Sequence, residues 1–170
     1  MKASTKWGAG VLLALAASLG LYESSNRTIT TPYQDIGGVW TVCDGITGAD
    51  VVPGKTYTEA ECRELLARQI EIHLDGIAKC APVRALTPHQ QFAFGHLAYN
   101  IGARAWCGST MAALVRAGRG RDACAQITRW VFVQGRDCRI AANRCGGIVK
   151  RRVFERGVCE GTITPEGVAS

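Results

Sequence analysis

The sequence predicts an α+β fold, a small β-hairpin lobe followed by a larger, mostly helical lobe held by disulfides. Three observations predict it. Residues 28–48 are rich in β-branched side chains and punctuated by Gly and Asp turns. Two strong helix starts follow, Thr58-Glu59-Ala60-Glu61 and Thr87-Pro88-His89-Gln90. All eight cysteines lie after residue 42, in the part that would form the globule.

A chain of 170 residues suits one compact domain, or a small lobe packed on a larger one. A hydrophobic fraction of 47% is enough for a core and excludes wholesale disorder. The formal charge of +6 suits an anionic polymer such as nucleic acid, phospholipid or bacterial cell wall. No Lys/Arg run interleaved with aromatics points to nucleic acid, so none is expected as a partner. The cysteines show no CxxC pair and no Cys/His cluster of the kind that holds zinc. Scattered and even in number, they imply disulfides formed in an oxidising compartment such as the periplasm. They permit on the order of a hundred pairings. Cys138 with Cys145 is the one local pair the spacing suggests.

The first segment, residues 1–22, is of a different kind. Lys2 and Lys6 precede an uncharged run over residues 8–22, GAGVLLALAASLGLY. Positive charge before an apolar run keeps the N-terminus in the cytoplasm and sends the remainder outward. The run is too short for an ordinary span. At about 1.5 Å per residue it covers about 22 Å of a bilayer core of about 30 Å. We read it as a marginal, uncleaved anchor that can leave the membrane. A signal peptide cut near Ala14-Leu15-Ala16 or Ala16-Ala17-Ser18 ranks second, and a permanent span third.

The elements then follow in order. Residues 28–31 have strand character, residues 32–38 form a turn, and residues 39–43 a second strand, with turns at Asp44-Gly45 and Thr47-Gly48. A helix begins near Glu59 and runs to about His73 or beyond. The helix opened by Thr87 holds Phe92, Phe94, Leu97, Ala98 and Ile101 and should be the central buried one. Ser109 or Thr110 caps a short helix ending near Gly118. Another helix spans residues 122–131. The last covers residues 147–159, with Val149/Val153 and Phe154/Val158 at i,i+4 spacing. The tail, residues 161–170, has no periodicity and should be loose.

Three residues between the apolar run and the first helix pattern could carry chemistry. Glu23 is the first charged residue after the run, and burial against that run would keep its carboxyl protonated. Asp35 lies in a turn, which should stay wet and ionised. Thr41 sits on the return strand near Asp35, where its hydroxyl can hold a water. One dry carboxyl and one wet carboxylate form the pair that glycosidic cleavage needs. Singly, each residue also reads as something plainer: the end of an anchor, a turn former, a strand filler. Other candidates read as structure first. His89 and His96 lie seven apart on one helix, with His73 distant. Arg116, Arg119 and Arg121 suit a solvated face, and Trp130 suits either a core or a sugar-stacking position.

Residues 33–48, YQDIGGVWTVCDGITG, resemble the signature of the phage-type lysozymes, in which an early Glu precedes a YxDxxGxxT segment. The resemblance continues through Tyr57-Thr58-Glu59-Ala60-Glu61, Ala98-Tyr99-Asn100-Ile101-Gly102, Arg129-Trp130 and the run from Gly147 to Arg156. It spans roughly residues 23–160, which would form the catalytic domain of a lysozyme-like fold. It implies a glycosidase that hydrolyses the β-1,4 bond between N-acetylmuramic acid and N-acetylglucosamine of peptidoglycan, with no metal or cofactor needed. By the same resemblance Glu23 is the general acid, Asp35 the second carboxylate and Thr41 the residue that positions water. Inversion would set the two carboxyls about 6.5–9.5 Å apart. Trp130 is a candidate sugar-binding residue.

Three departures from the pattern stand out. Eleven residues separate Glu23 from Asp35, more than is usual, which implies an extension near residues 24–27. Ser24 stands for the usual Gly, and Ile46 for the usual His. The N-terminal run resembles the signal-anchor-release segment of some phage endolysins. That implies a monomeric enzyme held at the host inner membrane, N-terminus inside, and then released to the periplasm. With no cysteine in residues 1–22, release would work by refolding and not by thiol exchange. A lytic transglycosylase acting on the same bond, and a non-catalytic wall-binding module, are the rival readings.

Overall fold

The computed structural model describes residues 7–23, 28–35, 37–43, 45–166 and 168, without the side chains of residues 21–23. The inferred extension at residues 24–27 and Asp44 of the expected turn lie outside the described residues.

The apolar run forms helix α1, Ala9–Glu23. It does not stand apart. Trp7, Val11, Ala14, Leu15 and Leu19 are buried in the main core, while Leu13 on the outer side is 69% exposed. Each large buried side chain contributes about 1.5–3 kcal/mol to docking.

The small lobe is a three-stranded antiparallel sheet in the order β1 (Ile29–Gln34), β2 (Trp40–Cys43), β3 (Ile46–Thr47). The first strand is longer than expected and runs through Pro32 to Gln34. Proline is tolerated there because β1 is an edge strand, with a register irregularity between Ile29 and Tyr33. Tyr33 pairs with Thr41 and Gln34 with Trp40, so residues 32–34 of the expected turn belong to the strand, and Ile36 of that turn lies outside the described residues. Gly38, at φ +74°, takes the left-handed position this tight return needs. Val42, Cys43, Ile46, Val51, Tyr57, Cys62 and Leu65 form a separate small core under the sheet.

Helix α2, Glu59–Ala78, begins at the expected capping box, with Thr58 accepting from the Glu61 amide and the Glu61 carboxylate accepting from the Thr58 amide. Helix α3, Pro88–Ile101, begins at its own box on Thr87 and Gln90 and is the central buried helix. Short helices α4 (Ala103–Cys107), α5 (Thr110–Arg116, capped by Ser109) and α6 (Gly120–Ala125) follow. The single helix expected over residues 122–131 is not formed. After Ala125 the chain passes into a 3-10 turn, Ile127–Arg129. The β-branched Ile127, Thr128 and Val131 weaken helix propensity, and Arg152 captures the Trp130 carbonyl at 2.9 Å.

A hairpin the sequence did not announce comes next, β4 (Phe132–Val133) and β5 (Arg136–Asp137). Gln134 and Gly135, both at positive φ, make its turn. Helix α7, Gly146–Cys159, closes the lobe. In the tail, the Thr162 and Ile163 amides donate to the Gly157 carbonyl, and Val168 is buried.

Four disulfides tie these pieces together: Cys43–Cys62, Cys80–Cys107, Cys124–Cys159 and the local pair Cys138–Cys145. The first joins the small sheet to α2, and the third joins α6 to α7. Closing loops of such length contributes about 3–4 kcal/mol each for the three longer ones.

Candidate active site

Asp35 and Thr41 meet at one residue, Val39. The Asp35 Oδ1 accepts from the Gly37 amide at 2.8 Å and from the Val39 amide at 2.9 Å. The Val39 carbonyl accepts in turn from the Asp35 amide at 3.0 Å and from the Thr41 hydroxyl at 3.1 Å. An Asp side chain that accepts from the backbone amide two residues on mimics a turn in this way. Its effect is to hold the carboxylate in one orientation at the exposed hairpin tip. Thr41 is buried beside it, and its proton is committed to Val39. The Thr41 oxygen therefore offers lone pairs, so a water it holds would donate to it.

Glu23 is the last residue of α1, which is docked on α2 and α3. Its side chain lies outside the described residues, and so does the carboxyl separation from Asp35.

Two cavities bear on an extended substrate. One, of about 210 Å³, lies between the lobes and is lined by Gly45, Ile46 and Thr47 of the sheet and by Gln69, His73 and Tyr99 of α2 and α3. The His73 and Tyr99 rings stand 5.1 Å apart, and His73 Nδ1 lies 2.8 Å from the Gln69 carbonyl. Tyr99 falls inside a motif visible in the sequence. His73 carried no local signal, because only the fold brings it to the cleft. The larger cavity, about 490 Å³, includes Ser109, Gln126, Arg129, Trp130 and Phe132. Trp130 is half-buried there.

Behind the cleft lies a buried ion cluster that sequence reading did not foresee. The expected i,i+4 apolar stripe of α7 is only partly the buried one: Val153 is 59% exposed, while Arg151, Arg152 and Glu155 are buried. Glu155 accepts from Arg152 Nη1 at 2.5 Å and from Arg151 Nε at 3.3 Å, and its Oε1 lies 2.7 Å from His96 Nδ1. Arg152 also donates to Asn100 Oδ1 and to the Trp130 carbonyl. Burial pushes the Glu155 carboxyl up, but the His96 bond and the Arg152 guanidinium outweigh it and hold it below its ordinary value. Burial pushes His96 down, and the bond to Glu155 recovers only part of that. His89 is not beside His96; its Nε2 faces Thr164 at 3.4 Å. Arg116, Arg119 and Arg121 are exposed.

The family model described as phage lysozyme matches residues 24–155. The chain belongs to the phage lysozyme family. The match begins one residue after Glu23, so the assignment of the family rests on the body of the domain. Among relatives of this lysozyme, the SAR-endolysin of Enterobacteria phage P21 is 37% identical over 154 residues, covering 88% of each chain. Among solved structures, the endolysin from Escherichia coli O157:H7 phage FAHEc1 superposes with a TM-score of 0.71 at 21% identity, over 98% of this chain and 100% of that one. The active form of the P1 phage endolysin Lyz gives 0.70 at 20% identity, over 95% and 99%.

Proposed function

We propose that this phage lysozyme is an inverting muramidase that cleaves the β-1,4 bond after N-acetylmuramic acid in peptidoglycan. Glu23 donates the proton to the leaving oxygen. Asp35 and Thr41 hold the attacking water, the carboxylate accepting its proton. The observation that carries this reading is the shared clasp on Val39, which orients Asp35 and Thr41 together. Trp130, on the wall of the larger cavity, is offered as a surface for a sugar ring. The enzyme works as a monomer and needs no cofactor. Digestion of purified peptidoglycan in ¹⁸O-water should give fragments that each gain one labelled water, the α-anomer forming first. Anhydro-muramic ends without label would instead assign a lytic transglycosylase.

The same reading covers where the enzyme works. Residues 8–22 first lie in the host inner membrane, and the enzyme is then released to the periplasm. Among the described residues no helix is long and apolar enough to cross a membrane. That suits an anchor whose hold is weak. In the docked state Leu15 and Leu19 are fully buried, so the protein core replaces the lipid that released side chains lose. Lysines at both Leu12 and Leu13, on the less buried side of α1, should abolish membrane association in fractionated cells before lysis. Persistent membrane association of that variant would rule out anchoring by this segment.

A further inference from the structure

The N-terminal helix must find one position on the body, and its own sequence does not say which. α1 has apolar residues around its whole circumference, AGVLLALAASLGLYE, interrupted before Tyr22 only by the hydroxyl of Ser18. Hydrophobic burial therefore favours docking but specifies neither rotation nor axial register. A slip of one residue turns a helix by about 100° and moves it about 1.5 Å. Glu23 would move with it.

Polar groups supply the missing information. Ser18 Oγ lies 3.2 Å from His96 Nε2 on α3. His96 is fully buried, and its other ring nitrogen is held by Glu155. With Nδ1–H donating to that carboxylate, the neutral ring presents Nε2 as an acceptor for the Ser18 hydroxyl. One residue of slip would set Ala17 or Leu19, which have no side-chain hydroxyl, toward that nitrogen and break the Ser18 hydrogen bond. At the other end of the segment, Trp7 Nε1 donates to Asp75 Oδ1 of α2 at 3.1 Å. Between the two, the helices approach at Gly95, where an added Cβ would lie 3.2 Å from Leu15 Cδ1 and 2.6 Å from Leu74 Cδ2. A single polar contact in an apolar seam selects register in just this manner in helix pairs.

We propose that the Ser18–His96 hydrogen bond is a registry contact that sets the rotation and axial position of α1 on the body, and so positions Glu23 for reaction. The inference rests on Glu23 being the general acid. His96 is a positioning residue that acts through Ser18; Ser18 in turn acts through the helix that carries Glu23.

The test uses the full-length released enzyme as wild type, Ser18→Ala, Ser18→Thr and Glu23→Gln. On soluble peptidoglycan fragments, Ser18→Ala should lower kcat about tenfold with KM within about twofold, since misplacement by about 1 Å costs rate and not binding. Ser18→Thr restores the hydroxyl and should restore kcat. A second readout does not depend on activity. Nitroxide labels at the exposed positions of Leu13→Cys on α1 and Ile72→Cys on α2 should report one narrow distance in wild type and Ser18→Thr, and a broadened or split one in Ser18→Ala. Wild-type kcat in Ser18→Ala, or a lowered Tm with kcat and the distance distribution unchanged, overturns the proposal. Full activity of Glu23→Gln would instead overturn the acid assignment, and the label distances would still read the register.

Discussion

Glu23→Gln is expected to clear chloroform-treated Gram-negative cells at least about 100-fold more slowly than wild type, because a positioned general acid contributes about 10²–10⁴ in rate. The amide has the shape of the acid but no proton to give the leaving oxygen. Its circular dichroism and Tm should match wild type, since Glu23 ends α1 and the docked helix is held by Trp7, Val11, Leu15 and Leu19 further back. A Glu23→Gln protein as lytic as wild type would show that Glu23 is not the proton donor and that another group protonates the leaving oxygen.

The largest loss of stability is expected at Glu155. Its carboxylate faces Arg151, Arg152 and His96 and is fully buried. Glu155→Ala removes the carboxylate bound to the buried Arg152 guanidinium at 2.5 Å, and breaking such a buried pair costs about 3–5 kcal/mol. For a chain of this size that is a fall in Tm on the order of 10 °C. A calorimetric Tm within a degree or two of wild type would show that the cluster contributes specificity without net stability.

The same cluster sets the response of wild type to acid. The Glu155 carboxyl titrates below its ordinary value of 4.5 in the folded protein. Its stabilisation is therefore complete above that value and is lost as pH falls through the folded one. His96 is also held below its ordinary value, 6.5, so the unfolded chain takes up a proton that the folded protein resists. Stability should thus be flat above about pH 6.5, decline below it as His96 becomes the site of unfavourable protonation, and decline again in the carboxylate range. A Tm that rises on acidification from neutral pH to pH 5 would contradict this account.

Much of the framework is legible in the sequence because it is set within a few residues. Thr58 with Glu61, and Thr87 with Gln90, cap their helices using groups three positions away. Asp35 is readable as a turn residue because its acceptors' partners are the amides of Gly37 and Val39. The cysteines announce an oxidising compartment, and the short loop of Cys138 and Cys145 announces its own pairing. The hairpin of β4 and β5 is not readable, since strands of two residues have no period to detect. Nor is the break after Ala125, which depends on an arginine 22 positions from the carbonyl it captures.

What the sequence by itself determined is the local chemistry: where helices start, where the hairpin turns, which acids follow the apolar run, and that the run can live in either lipid or a core. Tertiary structure decided which face of α7 is inside and where α1 rests. The partners of the α7 charges are far away in sequence: His96 is 59 positions from Glu155, and Asn100 is 52 from Arg152. α1 carries no polar face of its own, so the tie among its rotations is broken where its Ser18 meets His96 and the preceding Trp7 meets Asp75. A helix whose apolar residues lie on every side gains its orientation only when its one hydroxyl meets a buried partner on another helix.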